Sequence, residues 1–341
     1  MSTQAPSRYL VLSFSPLPAE LIRALIAPYR SMLDRDVDVI VFRDIKDWEK
    51  LSTLLKSADV IIGDYTMEVP ITRDMCYAME KVRLIAQPST GFDHIDIDAC
   101  AERGIPVANI GGANAITVAE YTIMVALALL RRLVEAHERT RRGEWPQWEL
   151  MEKGSFELQD KTWGVVGLGR IGREVTRRVK AFNANILYYD KIRFENIERE
   201  LGVEYAPLPK LLRTSDIVSL HVPLTPETRR MISEKELRLM KPTAILINPA
   251  RGEVVDEEAL ARALEEKWIA GAAIDVYSRE PPGRDHSLIR LAARGDLNII
   301  VTPHIAGATT ESRARIIQVT IDNVIRVLRG EKPVNVVNMP L

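Results

Sequence analysis

The sequence predicts an α/β protein of two doubly wound parallel-sheet domains, and three observations carry that prediction. Short apolar runs alternate with helix-spaced segments through the first third of the chain. The alternation resumes with longer apolar runs from Lys161. A glycine-rich turn follows the first strand of that second series. Strands that alternate with helices pair in parallel and form a sheet covered on both faces.

In the first series, residues 9–13, 37–42, 60–63, 84–87 and 107–110 read as strands, and 19–33, 47–57, 72–81 and 96–103 have helical spacing. Residues 114–137 read as one long buried helix. Its apolar stretch, 121–130, falls well short of the roughly 20 residues a membrane span needs, and Glu120 and Arg131 bracket it. The Arg-rich run 131–142 carries interspersed glutamates and reads as a solvated helix face, not a nucleic-acid surface. The second series contains six strands, 162–166, 186–189, 217–220, 244–247, 270–274 and 298–301, and a helix over 309–329 follows the last. Gly111-Gly112 and Gly307 are the natural hinges, and no repeat or low-complexity tract interrupts the plan.

Composition narrows the function classes. A chain of 341 residues is long for one core and suits two domains. With 46% apolar and 27% charged residues and a net charge of −1, it is an ordinary globular protein. Without a basic excess it points neither to nucleic acid nor to an anionic membrane, and its expected partners are small molecules and copies of itself. Residues 1–8 lack an apolar signal core, and Cys76 and Cys100 are too few and too unpatterned for a disulfide framework. A cytoplasmic location is expected.

The glycine turn is Gly167-Leu168-Gly169-Arg170-Ile171-Gly172, directly after the strand ending at Val166, and Asp190 closes the next strand. The first glycine permits the tight turn and the second lets backbone approach a pyrophosphate. The third lets the helix pack on the strand, with phosphates facing the helix N-terminus. An acid about 20 residues on accepts hydrogen bonds from the adenosine ribose, so the turn reads as a dinucleotide site. Asp190 would repel the 2′-phosphate of NADP and favours NAD, although Lys191 and Arg193 could offer that phosphate a partner.

Ligands of an open parallel sheet sit beyond the carboxyl ends of its strands. The polar residues there are His221, Asn248, Arg251, Asp275, Glu280 and His304. Arg251, Glu280 and His304 make a complete set for interconverting 2-keto and 2-hydroxy acids. An arginine fork holds the substrate carboxylate and adjoining carbonyl, a histidine moves the proton, and a carboxylate beside the imidazole stabilises its charged form. Singly each has an ordinary reading, as surface arginine, turn acid or core histidine; three complementary groups at three strand ends favour the chemistry. His221 reads as lining the nicotinamide side. The acids around His94 read as turn and helix-capping residues, without a paired ligand motif for a metal. There is no G-x-S-x-G elbow and no P-loop.

These segments resemble the D-isomer-specific 2-hydroxyacid dehydrogenases along nearly the whole chain. The likeness rests on Gly91-Phe92-Asp93-His94-Ile95-Asp96, the 115–132 helix, the 167–172 turn, His221-Val222-Pro223-Leu224, Ile247-Asn248-Pro249-Ala250-Arg251-Gly252, Ala273-Ile274-Asp275-Val276 and Thr302-Pro303-His304-Ile305-Ala306-Gly307. The resemblance implies a Rossmann NAD-binding domain, residues 111–305, inserted into a flavodoxin-like substrate domain of residues 1–110 and 306–341. It implies that His304 donates the proton, Glu280 pairs with it and Arg251 polarises the substrate. Arg170, Ile171, Asp190, Val222 and Pro249 would line NAD with the glycines, Asp275 would lie near the cofactor, and the backbone of Ser89, Thr90 and Gly91 would hold the substrate carboxylate. Domain closure would then exclude water.

Departures from particular family members narrow the substrate. Formate dehydrogenases of this fold carry glutamine where Glu280 stands, and phosphite dehydrogenase carries lysine where Thr90 stands. Phosphoglycerate dehydrogenases place basic residues near a loop that here reads Gln87-Pro88-Ser89-Thr90, and no added regulatory domain is expected after the last helix. Glyoxylate or hydroxypyruvate is the expected substrate; phosphoglycerate stays open, as does an NAD-sensing corepressor role, because such relatives retain the triad. The helix from Asn114 resembles the family's dimer-forming segment, which implies a homodimer.

Overall fold

The structure is a computed structural model and describes residues 8–339, so all but the last residue of the 1–8 segment falls outside it. The chain forms two compact units, one of residues up to Asn114 with those from Thr310, the other of Ala115 to Thr309.

The first unit holds strands β1 (Tyr9–Ser13), β2 (Val37–Val41), β3 (Val60–Ile62), β4 (Ile85–Ala86) and β5 (Val107–Ala108), all parallel, in the order β2-β1-β3-β4-β5. That is the flavodoxin-like strand order. Successive side chains of a strand point to opposite faces, and β1 uses both. Leu12 faces the helices Trp48–Ser57 and Arg73–Ala78, while Tyr9 and Val11 face Ala19–Ile26 and the distant helix Thr310–Leu328. That last helix contributes Ile321, Val324, Ile325 and Leu328 to the core, and the chain beyond it pairs Val336 with Ala108. Asp96 accepts the Ala99 N–H and caps the helix Ile97–Glu102, as its place before an apolar run predicts. Cys76 and Cys100, unbridged, lie with their sulfurs 2.8 Å apart in this core, a proximity their spacing gave no sign of.

The second unit holds β6 (Thr162–Val166), β7 (Asn185–Tyr189), β8 (Glu204–Tyr205), β9 (Ile217–Leu220), β10 (Ile245–Asn248), β11 (Gly271–Ile274) and β12 (Ile299–Val301) in the order β12-β11-β10-β9-β6-β7-β8, again all parallel. Counted within this unit the order is 3-2-1-4-5-6-7, the Rossmann arrangement with one further edge strand. Six strands were expected, and the unforeseen one is β8: two residues are too few to show periodicity.

The expected single helix over 114–137 is two, Ala115–Leu130 and Leu133–Arg141, with Arg132 between them in the left-handed region at φ 48°. No glycine or proline marks the break. The Arg132 guanidinium instead donates to the Gly154 and Lys153 carbonyls and pairs with Glu135, and the Phe156 N–H takes the Leu130 carbonyl that a continuing helix would have used. The arginines beyond the break are a solvated ion-pair face, with Arg139 bridging Glu144 and Glu149. No helix of the described residues is long and apolar enough to cross a membrane.

Candidate active site

At the switch between β6 and β9, where strand order reverses, the three glycines have distinct reasons. Gly167 sits at φ 97°, and a Cβ there would lie 2.7 Å from the His221 carbonyl oxygen. A Cβ on Gly172 would lie 2.1 Å from the Gly167 carbonyl oxygen. Gly169 has neither constraint: its φ of −72° suits any residue and a Cβ would meet no protein atom within 4 Å. Nothing in the protein itself demands a glycine there, and what a side chain would fill is the approach to the N-terminus of the helix Arg170–Val179. That space fits a dinucleotide pyrophosphate.

Asp190 directly follows β7 and its Oδ2 accepts the Leu168 N–H at 2.9 Å, tying the turn to the strand. Of the two basic residues that could have met a 2′-phosphate, Arg193 is engaged in a two-pronged pair with Glu198, at 2.8 and 2.9 Å. Lys191 is exposed. Arg170 is exposed in the first helical turn with Ile171 beside it, Val222 is half-buried and Pro249 is buried.

Arg251 follows β10 in extended backbone, φ −147°. Asn248, buried, shapes this turn: its Nδ2 donates to the Arg251 carbonyl at 2.8 Å and its Oδ1 accepts the Ala250 N–H at 3.1 Å. Gly252 must be glycine, because a Cβ would lie 2.0 Å from the Tyr277 carbonyl carbon. Through that close approach the loop after β10 rests on the loop after β11, which carries Glu280. The Glu280–Pro281 peptide is cis.

Glu280 and His304 meet at 2.6 Å, Oε2 to Nδ1, with side chains 37% and 40% exposed. Oε1 accepts the Tyr277 N–H at 3.0 Å. Partial burial pushes the Glu280 carboxyl up, but the hydrogen bonds from His304 and from the Tyr277 N–H, with the charges of His304 and Arg251, outweigh it and hold the group below its ordinary value. An ionised carboxylate only accepts, so the proton of the pair sits on Nδ1 and Nε2 lies outside the pair.

Asp275 has no exposed surface, and its oxygens accept from Thr302, Ile305 and Ala306. It touches the site through the His304 loop. His221 directly follows β9 with Nε2 3.0 Å from the Ser219 hydroxyl, and burial pushes its imidazole down to about 3. A neutral ring of that kind does not serve as an imidazolium acid near neutral pH.

The Ser89–Gly91 loop follows β4 in the first unit. Gln87 Nε2 donates to Ser89 Oγ at 2.7 Å and to the Asp64 carbonyl at 3.1 Å, and Asn109 Nδ2 donates to the Thr90 carbonyl at 2.8 Å. The hydroxyls of Ser89 and Thr90 donate within this frame, to the Gly91 carbonyl and to Asn114 Oδ1. Sequence reasoning missed Gln87, Asn109 and Asn114; the signal was three amides clustered just after two strand ends. No group of three or more His, Cys, Asp or Glu that could hold a metal occurs among the described residues.

Residues 123–306 match the family model described as D-isomer specific 2-hydroxyacid dehydrogenase, NAD binding domain. The chain is also 44% identical over 300 residues to a glyoxylate reductase of Korarchaeum cryptofilum, covering 88% of this chain and 85% of that protein. It belongs to the D-isomer specific 2-hydroxyacid dehydrogenase family. A D-3-phosphoglycerate dehydrogenase of Methanocaldococcus jannaschii is 41% identical, over 86% of this chain and 54% of its own length. A D-lactate dehydrogenase from Aquifex aeolicus, solved with NAD and lactic acid, superposes with a TM-score of 0.83 at 32% identity, covering 97% of this chain and all of its own. This 2-hydroxyacid dehydrogenase is therefore an NAD-dependent oxidoreductase acting on the carbinol carbon of a hydroxy acid.

Proposed function

We propose that the enzyme reduces glyoxylate or hydroxypyruvate to the 2-hydroxy acid, of D configuration where the product carbon is chiral, with His304 as general acid in reduction and general base in the reverse direction. The observation that carries this reading is the 2.6 Å contact of Glu280 with His304 beside the Arg251 turn. NADH, when bound at the glycine turn, would supply the hydride for the reduction. The Arg251 fork draws the substrate's carboxylate and carbonyl oxygen, which polarises the carbon. His304 delivers its Nε2 proton to the oxygen, and Glu280 steadies the imidazolium and fixes the ring.

In the same reading residues 111–305 hold the cofactor, and residues 1–110 with 306–341 hold the substrate. Gly167, Gly169, Arg170, Ile171 and Gly172 cradle the pyrophosphate, Asp190 takes the ribose, and Val222 and Pro249 line the remainder. Asp275 acts from beneath through the His304 loop. The Ser89, Thr90 and Gly91 N–H groups receive the substrate carboxylate, which the inward-donating hydroxyls of that loop support. A cytoplasmic location, with access to the cellular NADH pool, belongs to the proposal.

The test is oxidation of NADH and of NADPH against glyoxylate, hydroxypyruvate, pyruvate, phenylpyruvate and phosphohydroxypyruvate. Glyoxylate or hydroxypyruvate with NADH should give the highest kcat/KM, and His304→Gln should lower it about 1000-fold. Turnover of phosphohydroxypyruvate above both overturns the substrate; an active His304→Gln enzyme overturns the mechanism.

A homodimer completes the proposal. Ile116, Met124, Leu133, Val134, Trp145 and Trp148 all lie exposed on the helices and turns of 115–152, with Trp145 80% accessible. Apolar side chains gathered in one segment are the mark of an association surface. Light scattering at micromolar concentration should return twice the mass of 38.4 kDa.

A further inference from the structure

His304 has φ 55°, a left-handed backbone that costs a non-glycine residue about 1 kcal/mol or more and persists only where its surroundings enforce it. Four hydrogen bonds enforce it here, all ending on Asp275. The His304 N–H donates to the Asp275 carbonyl at 2.8 Å. The Ile305 and Ala306 N–H groups donate to Oδ1 at 2.9 Å and Oδ2 at 2.7 Å, and the Thr302 hydroxyl reaches Oδ1 at 2.6 Å. The same hydroxyl lies 2.6 Å from the phenol of Tyr121, in the helix Ala115–Leu130.

The protons in this chain have one arrangement. A buried carboxylate only accepts, so the single Thr302 proton goes to Asp275, and Tyr121 must be the donor to Thr302. Burial, with the charge of Asp275 nearby, pushes the phenol above its ordinary value, so Tyr121 keeps that proton at any working pH. The run from Tyr121 through Thr302 to Asp275 is thus a polarised chain in which each bond strengthens the next.

We propose that Tyr121 is a positioning residue for the hydride-transfer reaction, its phenol fixing Thr302 and through it the backbone that sets His304 against Glu280. The proposal rests on the reading of His304 as the proton donor. Tyr121 itself touches neither Glu280 nor His304 in any described hydrogen bond, so its effect must travel through the loop.

The experiment compares Tyr121→Phe, Thr302→Val, Thr302→Ser and His304→Gln for kcat and KM, for NADH affinity by fluorescence, and for thermal stability. Tyr121→Phe and Thr302→Val should each lower kcat roughly tenfold, with the KM for keto acid and the NADH affinity within about twofold of the parent and Tm down by only a few degrees. Thr302→Ser, which keeps the hydroxyl, should stay within about twofold in kcat. A Tyr121→Phe enzyme with parental kcat beside an inactive His304→Gln enzyme overturns this proposal and spares the proton-donor reading. An active His304→Gln enzyme overturns that reading and this proposal with it. Parallel losses of kcat, NADH affinity and folding in Tyr121→Phe would mark a merely structural tyrosine and also overturn the proposal. Should Tyr121→Phe fail to fold, the threonine pair decides: serine no better than valine overturns it.

Discussion

The two loops that carry the proposed substrate groups are held in different ways. The Ser89–Gly91 loop of the first unit is framed by neutral amides, Gln87, Asn109 and Asn114, which pair with its carbonyls and hydroxyls. The His304 loop of the second unit is framed by one fully buried carboxylate, Asp275, taking three donors on its two oxygens. Hydrogen bonds to a buried charge are stronger than those between neutral groups, and more costly to break. The loop that holds the proposed catalytic histidine in a left-handed backbone has the charged anchor. The loop proposed to offer its N–H groups to the substrate has the neutral one.

The largest effect should follow from removing the charge. Asp275→Asn keeps the shape but sets an NH2 against a donor in either orientation, the Ala306 N–H in one and the Ile305 N–H in the other, so we expect about 3 kcal/mol lost in urea unfolding and a kcat reduced about 100-fold. A loss under about 1 kcal/mol would erase the contrast between the loops. Gln87→Leu is the matching change in the first unit. It removes two neutral hydrogen bonds, and the expected cost is about 1 kcal/mol, with the keto-acid KM raised about tenfold and NADH affinity unmoved. A fall in kcat with KM intact would show this loop to be a catalytic frame as well.

His221 gives a smaller effect, with a defined sign. Its imidazole titrates at about 3 when folded and near the ordinary 6.5 when unfolded, so the unfolded chain takes up the proton first as pH falls. Stability is therefore intact above about pH 6.5 and declines below it, by about 1–2 kcal/mol at pH 5. Urea unfolding of the parent and of His221→Gln at pH 7 and 5 measures this; an equal pH dependence in both would assign it elsewhere. Smallest of all should be Arg193→Ala. Because Glu198 already holds that guanidinium, the NADH-to-NADPH preference should change by less than about twofold.

The positions of the proposed triad were legible because parallel strands fix where their ends lie: Arg251, Glu280 and His304 could be placed after strand ends from the apolar runs before them. Asn248 and Asp275 stand at strand ends too, and there the sequence is silent about direction. Each turns inward to hold a loop, a choice made by the backbone it meets and not by its own neighbours in the chain. The turn at Arg132 was hidden for the same reason, since the carbonyls that draw its guanidinium lie more than twenty positions away at 153 and 154. Strand β8 escaped through brevity alone.

The helix Thr310–Leu328, which seals one face of the first sheet, has a consequence for how the protein is made. Strands β1 to β5 leave the ribosome early, while their covering helix follows only after the whole second unit, about 200 residues later. At the usual rate of synthesis that interval is about 10–40 s, during which Val11, Val39 and Val60 have only the segment of Ile22, Ile26 and Leu33 to cover them on that side. The second unit, contiguous in the chain, has its complete core first. The expected order of folding is thus the reverse of the order of synthesis, with the core around the earliest strands incomplete until the last helix arrives.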